Sequence, residues 1–173
     1  MRIKFIPVLI SALFLIFFIV FYKGLKNSNI YTPNLNQEKE IPNFTAQLFD
    51  TKKNINSSDI FIGDDFYLLN IWSSWCVPCR YEHDFLINLN KERNLKIIGL
   101  NYKDNFENAK SYLQELSNPY DILISDRDGL ISIEWGAYGV PETFLIYEKK
   151  ILKKIIGPIT HDSMNEIKRL INL

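Results

Sequence analysis

Apolar residues are spread along this chain in three different ways. From Phe5 to Tyr22 they form one uncharged run of 18 residues, interrupted only by Pro7 and Ser11. At about 1.5 Å per residue such a helix spans roughly 27 Å, close to the hydrocarbon thickness of a bilayer. The run therefore predicts one transmembrane helix, with residues 1–23 as an N-terminal anchor. Residues 24–41 are polar and Asn-rich, with Gly24, Pro33 and Glu38-Lys39-Glu40, and lack apolar periodicity, which predicts a linker. From 42 to 173, short apolar runs alternate with segments of helical period, the signature of one folded α/β domain.

Within that domain, Phe66–Trp72 and Leu95–Asn101 have the length and continuity of buried strands, and Cys79–Arg93 between them places Phe85, Leu86 and Leu89 at helical spacing. Asp104, with Glu107 three residues on, predicts a capping box for a helix whose apolar face is Phe106, Ala109, Leu113 and Leu116 and which ends at Asn118-Pro119. A short strand at Ile122–Ile124, a turn at Asp126–Gly129 and a brief helix near Leu130–Trp135 follow. Thr143–Tyr147 and Ile151–Ile156 read as a hairpin, and Thr160 as the cap of a terminal helix with Met164, Ile167, Leu170 and Ile171 inward. The order βαβαβ, small helix, ββα predicts a mixed sheet with helices on both faces.

Charge sharpens the first region. The chain has 20 basic and 20 acidic residues, but residues 1–26 hold four of the basic ones and no acid, leaving 16 against 20, net −4, for the remainder. A domain without a basic field is not built to bind nucleic acid. Arg2 and Lys4 precede the apolar run and Lys23 and Lys26 follow it, so the positive-inside excess is small; it favours a cytoplasmic N-terminus and an external domain. A cleaved signal peptide would have a shorter apolar region, about 7–15 residues, ending at a small-x-small site, and Phe21-Tyr22-Lys23-Gly24-Leu25 offers none.

The two cysteines, Cys76 and Cys79, sit where the first long strand gives way to its helix. Residues three apart in a first helical turn share a face, close enough for a local disulfide. Cys76, at the helix N-terminus, would meet free backbone N–H groups and the positive dipole end, which stabilise a thiolate and make it the attacking nucleophile. Pro78 fits the first turn, where its missing N–H costs nothing. Cys79, one turn in, would be the resolving thiol. Three other uses of the pair compete. A structural disulfide over so short a loop would constrain little of the unfolded chain. A metal site would recruit Cys76, Cys79 and His83, with Glu82 or His161 as a fourth ligand. Haem attachment would need His where Arg80 stands.

The segment Leu69-Asn70-Ile71-Trp72-Ser73-Ser74-Trp75-Cys76-Val77-Pro78-Cys79-Arg80-Tyr81-Glu82-His83, with Asn101-Tyr102-Lys103-Asp104, Asn118-Pro119-Tyr120 and Gly136–Ile146, resembles the membrane-tethered thioredoxin-like proteins of cytochrome c maturation, the CcmG or DsbE type. The likeness runs from about residue 40 to the C-terminus. It implies a thioredoxin-like fold and a protein-disulfide reductase that needs no cofactor and acts as a monomer on the outer, periplasmic face of the plasma membrane. Its electron donor would be a transmembrane dithiol carrier. Its acceptor would be apocytochrome c, whose haem-site cysteines it keeps reduced, or a thiol protein of the same pathway. Two rivals remain at this stage, a tethered metal or haem chaperone using the cysteines as ligands and a general outer-face oxidant.

The resemblance also assigns supporting residues. Thioredoxin carries a buried Asp six residues before its first cysteine, and here that position is Asn70, so another group, with Glu82 and Glu142 the candidates, or water must accept the proton of the resolving thiol. If both carboxylates approach the cysteines, they raise the Cys76 pKa and poise the pair nearer thioredoxin's potential of about −270 mV than a strong oxidant's −120 mV or so. Pro141 matches the proline with a preceding cis bond that lies opposite the cysteines, leaving the Val140 backbone free to pair with an extended substrate. Trp75, Tyr138 and Phe144 are expected as an apolar rim, Trp72 and Phe85 as core, and His83 as a surface residue.

Overall fold

The computed structural model describes residues 5–26, 39–63 and 65–172, in two units covering residues 1–34 and 35–173. The first unit holds α1 (Phe5–Lys26), a 22-residue helix with no acid in its first turn. Its large apolar side chains from Val8 to Tyr22 are all exposed. The described side chains of α1 run unbroken only from Pro7 to Lys23, and among the described residues no helix is long and apolar enough to cross a membrane. Most of the expected linker, residues 27–38, lies outside the described residues.

The second unit is built on one sheet of strands β1 (Lys39–Glu40), β2 (Thr45–Leu48), β3 (Asn54–Asn56), β4 (Phe66–Trp72), β5 (Leu95–Tyr102), β6 (Ile122–Asp126), β7 (Glu142–Tyr147) and β8 (Lys150–Ile156). Their order is β1-β8-β7-β4-β5-β6-β2-β3. β4, β5 and β6 are parallel neighbours, and the other pairings are antiparallel. Helices α2 (Ser57–Ile60), α3 (Val77–Leu89), α4 (Phe106–Leu116), α5 (Leu130–Glu134) and α6 (His161–Ile171) connect them. Alternate residues of β4 serve opposite faces, as a doubly covered strand requires. Leu68 and Trp72 pack with Leu86 and Leu89 of α3, Tyr112 of α4 and Ile167 of α6. Leu69 and Ile71 pack with Ile60 of α2, Ile131 of α5 and Trp135.

The predicted elements from β4 onward are present, and the β7–β8 turn carries positive φ at both Glu148 and Lys149, the geometry that matches the twist of a tight hairpin. Three differences follow from tertiary contacts. Lys39 and Glu40, read as linker, pair with Ile151 and Lys150 at the sheet edge. β2, β3 and α2 precede the first predicted strand. The cap of α4 is Asn105, which accepts from the N–H groups of Glu107 and Asn108; Asp104 turns instead toward β4's outgoing loop. At Gly99, opposite Asn70 in the β4–β5 register, a Cβ would lie 2.7 Å from Tyr120 Cγ and from Leu123 Cδ1.

Candidate active site

β4 ends at Trp72 and the chain enters α3 through Ser73, Ser74 and Trp75. Asp104 fixes this passage: its carboxylate accepts from the Ser74 N–H at 2.5 Å, the Ser74 hydroxyl at 2.7 Å and the Asn101 amide at 3.0 Å. The Trp75 indole N–H donates to the Lys103 carbonyl at 3.2 Å. Cys76 is thereby delivered as the N-cap of α3, and its Sγ accepts the Cys79 backbone N–H at 3.1 Å. That N–H is one of the orphan donors of a helix start, aimed at sulfur rather than at a capping oxygen. Pro78 lies in the first turn. Cys76 and Cys79 are joined as a disulfide, Cα to Cα 5.3 Å, and both are buried in the core.

Behind the cysteines lies a buried polar network. On α3, Cys79, Glu82, His83, Leu86 and Leu89 form the inward face. The Glu82 side chain, 0% exposed as a residue, accepts from the Asn70 amide at 2.8 Å and from the Ile159 N–H at 2.7 Å. The Asn70 amide also donates to Thr143 Oγ1 at 3.0 Å, and its oxygen accepts the Tyr120 hydroxyl at 2.9 Å. Burial pushes the Glu82 carboxyl up to about 7, against the opposing pull of the bonds from Ile159 and Asn70. Burial likewise holds the Tyr120 phenol well above its ordinary value, so it remains a donor. No cation among the described residues pairs with Glu82.

Glu142 stands differently. Ile71 pairs with Glu142 in the β4–β7 register, which sets Pro141 and Val140 beside the segment leading to Cys76, and Val140 packs on the cluster that contains both cysteines. The Val140-Pro141 bond is cis. Glu142 Oε1 accepts the N–H groups of Tyr138 at 2.6 Å and Gly139 at 3.1 Å, and Oε2 meets Lys154 Nζ at 2.7 Å. Its carboxylate thus faces a lysine and two loop N–H groups, whereas Glu82 meets only neutral donors.

The remaining expectations divide. Trp75 and Tyr138 are exposed at 56% and 62%, but Phe144, expected beside them, is core at 1%, because β7 points it onto Trp135. Trp72 is core, and Phe85 is partly buried against the same cluster. His83 is buried rather than at the surface, since it falls on the inward face of α3; its Nε2–H donates to the Ser117 carbonyl at 2.9 Å and its ring meets Tyr112 edge-on. Among the described residues no cluster of three metal-ligating side chains forms. A cavity of about 730 Å³ lies between β2, β6 and α5 and is lined by none of these site residues. Lys154 carries no sequence signal beyond its place in the strand.

Residues 36–170 match the Redoxin family model. The chain is 43% identical over 110 residues, 63% of its length, to the thiol:disulfide interchange protein CycY of Rhizobium leguminosarum, of which it spans 59%. It is 34% identical over 149 residues to the thiol:disulfide interchange protein DsbE of Allochromatium vinosum, covering 86% of this chain and 82% of that one. The fold of a solved thiol-disulfide oxidoreductase from Bacteroides fragilis superposes with a TM-score of 0.64 at 20% identity, covering 76% of this chain and 99% of that one, which makes the architecture thioredoxin-like.

Proposed function

Since the chain belongs to the Redoxin family and, within it, to the DsbE-type thiol:disulfide interchange proteins, we propose that it is a thiol:disulfide oxidoreductase working as a protein-disulfide reductase. The observation that carries this reading is the Cys76–Cys79 pair at the start of α3, with the outer sulfur on a helix-terminal N–H and the inner one a turn from an uncompensated carboxyl poised near neutrality. In the reduced enzyme the Cys76 thiolate attacks one sulfur of the substrate disulfide, forming a mixed disulfide and expelling the other substrate sulfur as a thiolate. Glu82 takes the proton of Cys79. The Cys79 thiolate then attacks Cys76 Sγ, closing the protein disulfide and releasing the second substrate thiolate. Two electrons pass from the protein sulfurs to the substrate; the Cys79 proton leaves Glu82 for one released thiolate, solvent protonates the other, and exchange with an incoming dithiol restores the starting state.

Pro141 and the Val140 backbone receive the substrate strand, between Trp75 and Tyr138. α1 is the membrane anchor in this reading: Phe5–Tyr22 is uncharged, and its large apolar side chains from Val8 to Tyr22 are exposed. The basic residues before Phe5 favour a cytoplasmic N-terminus, and in this reading the domain works on the outer face of the plasma membrane, with apocytochrome c or a maturation thiol protein as acceptor and a transmembrane dithiol carrier as donor. One experiment tests the reading. Full-length Cys79→Ser, expressed in cells and trapped with acid and alkylation, should accumulate a mixed disulfide through Cys76 that stays in the membrane after carbonate extraction, while Cys76→Ser should accumulate none. Equal trapping by both variants would overturn the mechanism, and recovery of the adduct in the carbonate supernatant would overturn the anchor.

A further inference from the structure

The Lys154 side chain of β8 is nearly closed off from water, 7% exposed. Its ammonium satisfies three directions at once: the Glu142 carboxylate at 2.7 Å, the Gly136 carbonyl at 2.7 Å, and the face of the Tyr138 ring, whose centroid is 4.3 Å away. The Phe144 ring closes the site from the core side at 5.3 Å. Through Glu142 the same cation reaches the N–H groups of Tyr138 and Gly139. The segment Gly136–Glu142 thus has an ion pair for its interior where a loop of that size would otherwise need apolar packing.

A buried ion pair adds little net stability, because desolvation of both charges offsets their attraction. What this one supplies is direction. An ammonium with three fixed partners holds both ends of the loop and covers one face of the Tyr138 ring, while the residue stays 62% exposed. We infer that Lys154 is a positioning residue for the substrate: it holds Tyr138 and the Val140-Pro141 segment in the arrangement on which a disulfide-bearing peptide docks. The inference rests on the reductase reading above and adds to it a residue on a different strand from the cysteines.

The test compares KM with kcat for full-length protein in detergent, reducing a disulfide-closed peptide and, separately, hydroxyethyl disulfide, which is too small to reach Tyr138. Lys154→Met alone leaves Glu142 buried without its cation and is prone to misfold, so the informative variant is Lys154→Met combined with Glu142→Gln, which removes both charges. It should raise the KM for the peptide by about tenfold or more with a much smaller change in kcat, the pattern of lost substrate positioning. Tyr138→Ala, at an exposed site with the ion pair intact, should raise the same KM by a comparable factor. A wild-type KM in either variant overturns the inference, and so does an equal loss of turnover on the peptide and on hydroxyethyl disulfide. A wild-type protein that reduces neither disulfide would instead overturn the reductase reading.

Discussion

Two of the carboxylates buried in this domain, one on α3 with the cysteines and one at the start of β7, have been put to opposite uses. Glu82 and Glu142 are both 1% exposed or less. Glu142 has a lysine in contact and two backbone donors, so it stays where the loop holds it. Glu82 has only neutral donors, the Asn70 amide and the Ile159 N–H, and burial raises its carboxyl to about 7. The difference lies in the partner, since the depth of burial is the same. A carboxylate given a cation becomes structure; one given only dipoles keeps a proton within reach of neutral pH.

The contrast is sharpest under substitution. Glu142→Gln keeps an oxygen for Tyr138 and Gly139 but leaves Lys154 buried without its counter-charge, and removing one partner of a buried pair costs about 3 kcal/mol or more. Urea unfolding of the full-length chain at pH 7 should show that loss; a change below about 1 kcal/mol would mean that Lys154 escapes to solvent when unpaired.

Next in size is the pH response of Glu82. Its folded value is raised above the ordinary 4.5, so the native state binds a proton that the unfolded chain has released. Stability from this source is complete below about pH 4.5 and is lost as pH rises through about 7, a fall of roughly 3 kcal/mol between pH 4 and 9. Glu82→Gln should flatten that part of the profile and also abolish any pH dependence near 7 in the resolution of the mixed disulfide. A wild-type profile that is level over this range would place Glu82 with Glu142 and end the contrast.

The smallest effect tests what orients the Asn70 amide. Tyr120→Phe removes the hydroxyl that Asn70 Oδ1 accepts, leaving a buried acceptor unsatisfied at a cost of about 1 kcal/mol. No measurable loss would show that Thr143 and Glu82 hold the amide without help.

The part of the fold built on continuous patterns was legible in the chain. β4 and β5 are apolar runs, α6 starts at the expected Thr160, and the cysteines lie where strand meets helix. β2 and β3 were not, because Thr45–Leu48 alternates over only four residues and Asn54–Asn56 is polar at both ends. Asp104 was misassigned because a local Asp-x-x-Glu pattern looks the same whether or not the Asp is drawn off to Ser74, thirty residues earlier. His83 was within reach: with Glu82, which the resemblance singles out, it continues the i, i+3, i+4, i+7 row of Cys79 and Leu86, but a lone polar residue on an apolar face is read as solvent-facing by default. Lys154 was out of reach. The register shift between Leu145 and Ile146 pairs Leu145 with Lys153 and Ile146 with Ile151, so two-residue alternation cannot be carried along β8 to say which lysine turns inward.

Gly99 has a consequence that reaches past β5. The Tyr120 ring crosses the strand at the place where any other residue would put a carbon, 2.7 Å from Tyr120 Cγ, and through that gap its hydroxyl reaches Asn70 and so the donor that Asn70 offers to Glu82. The volume of one methyl group on a neighbouring strand thus sets the room in which the buried Glu82 carboxyl finds its donor.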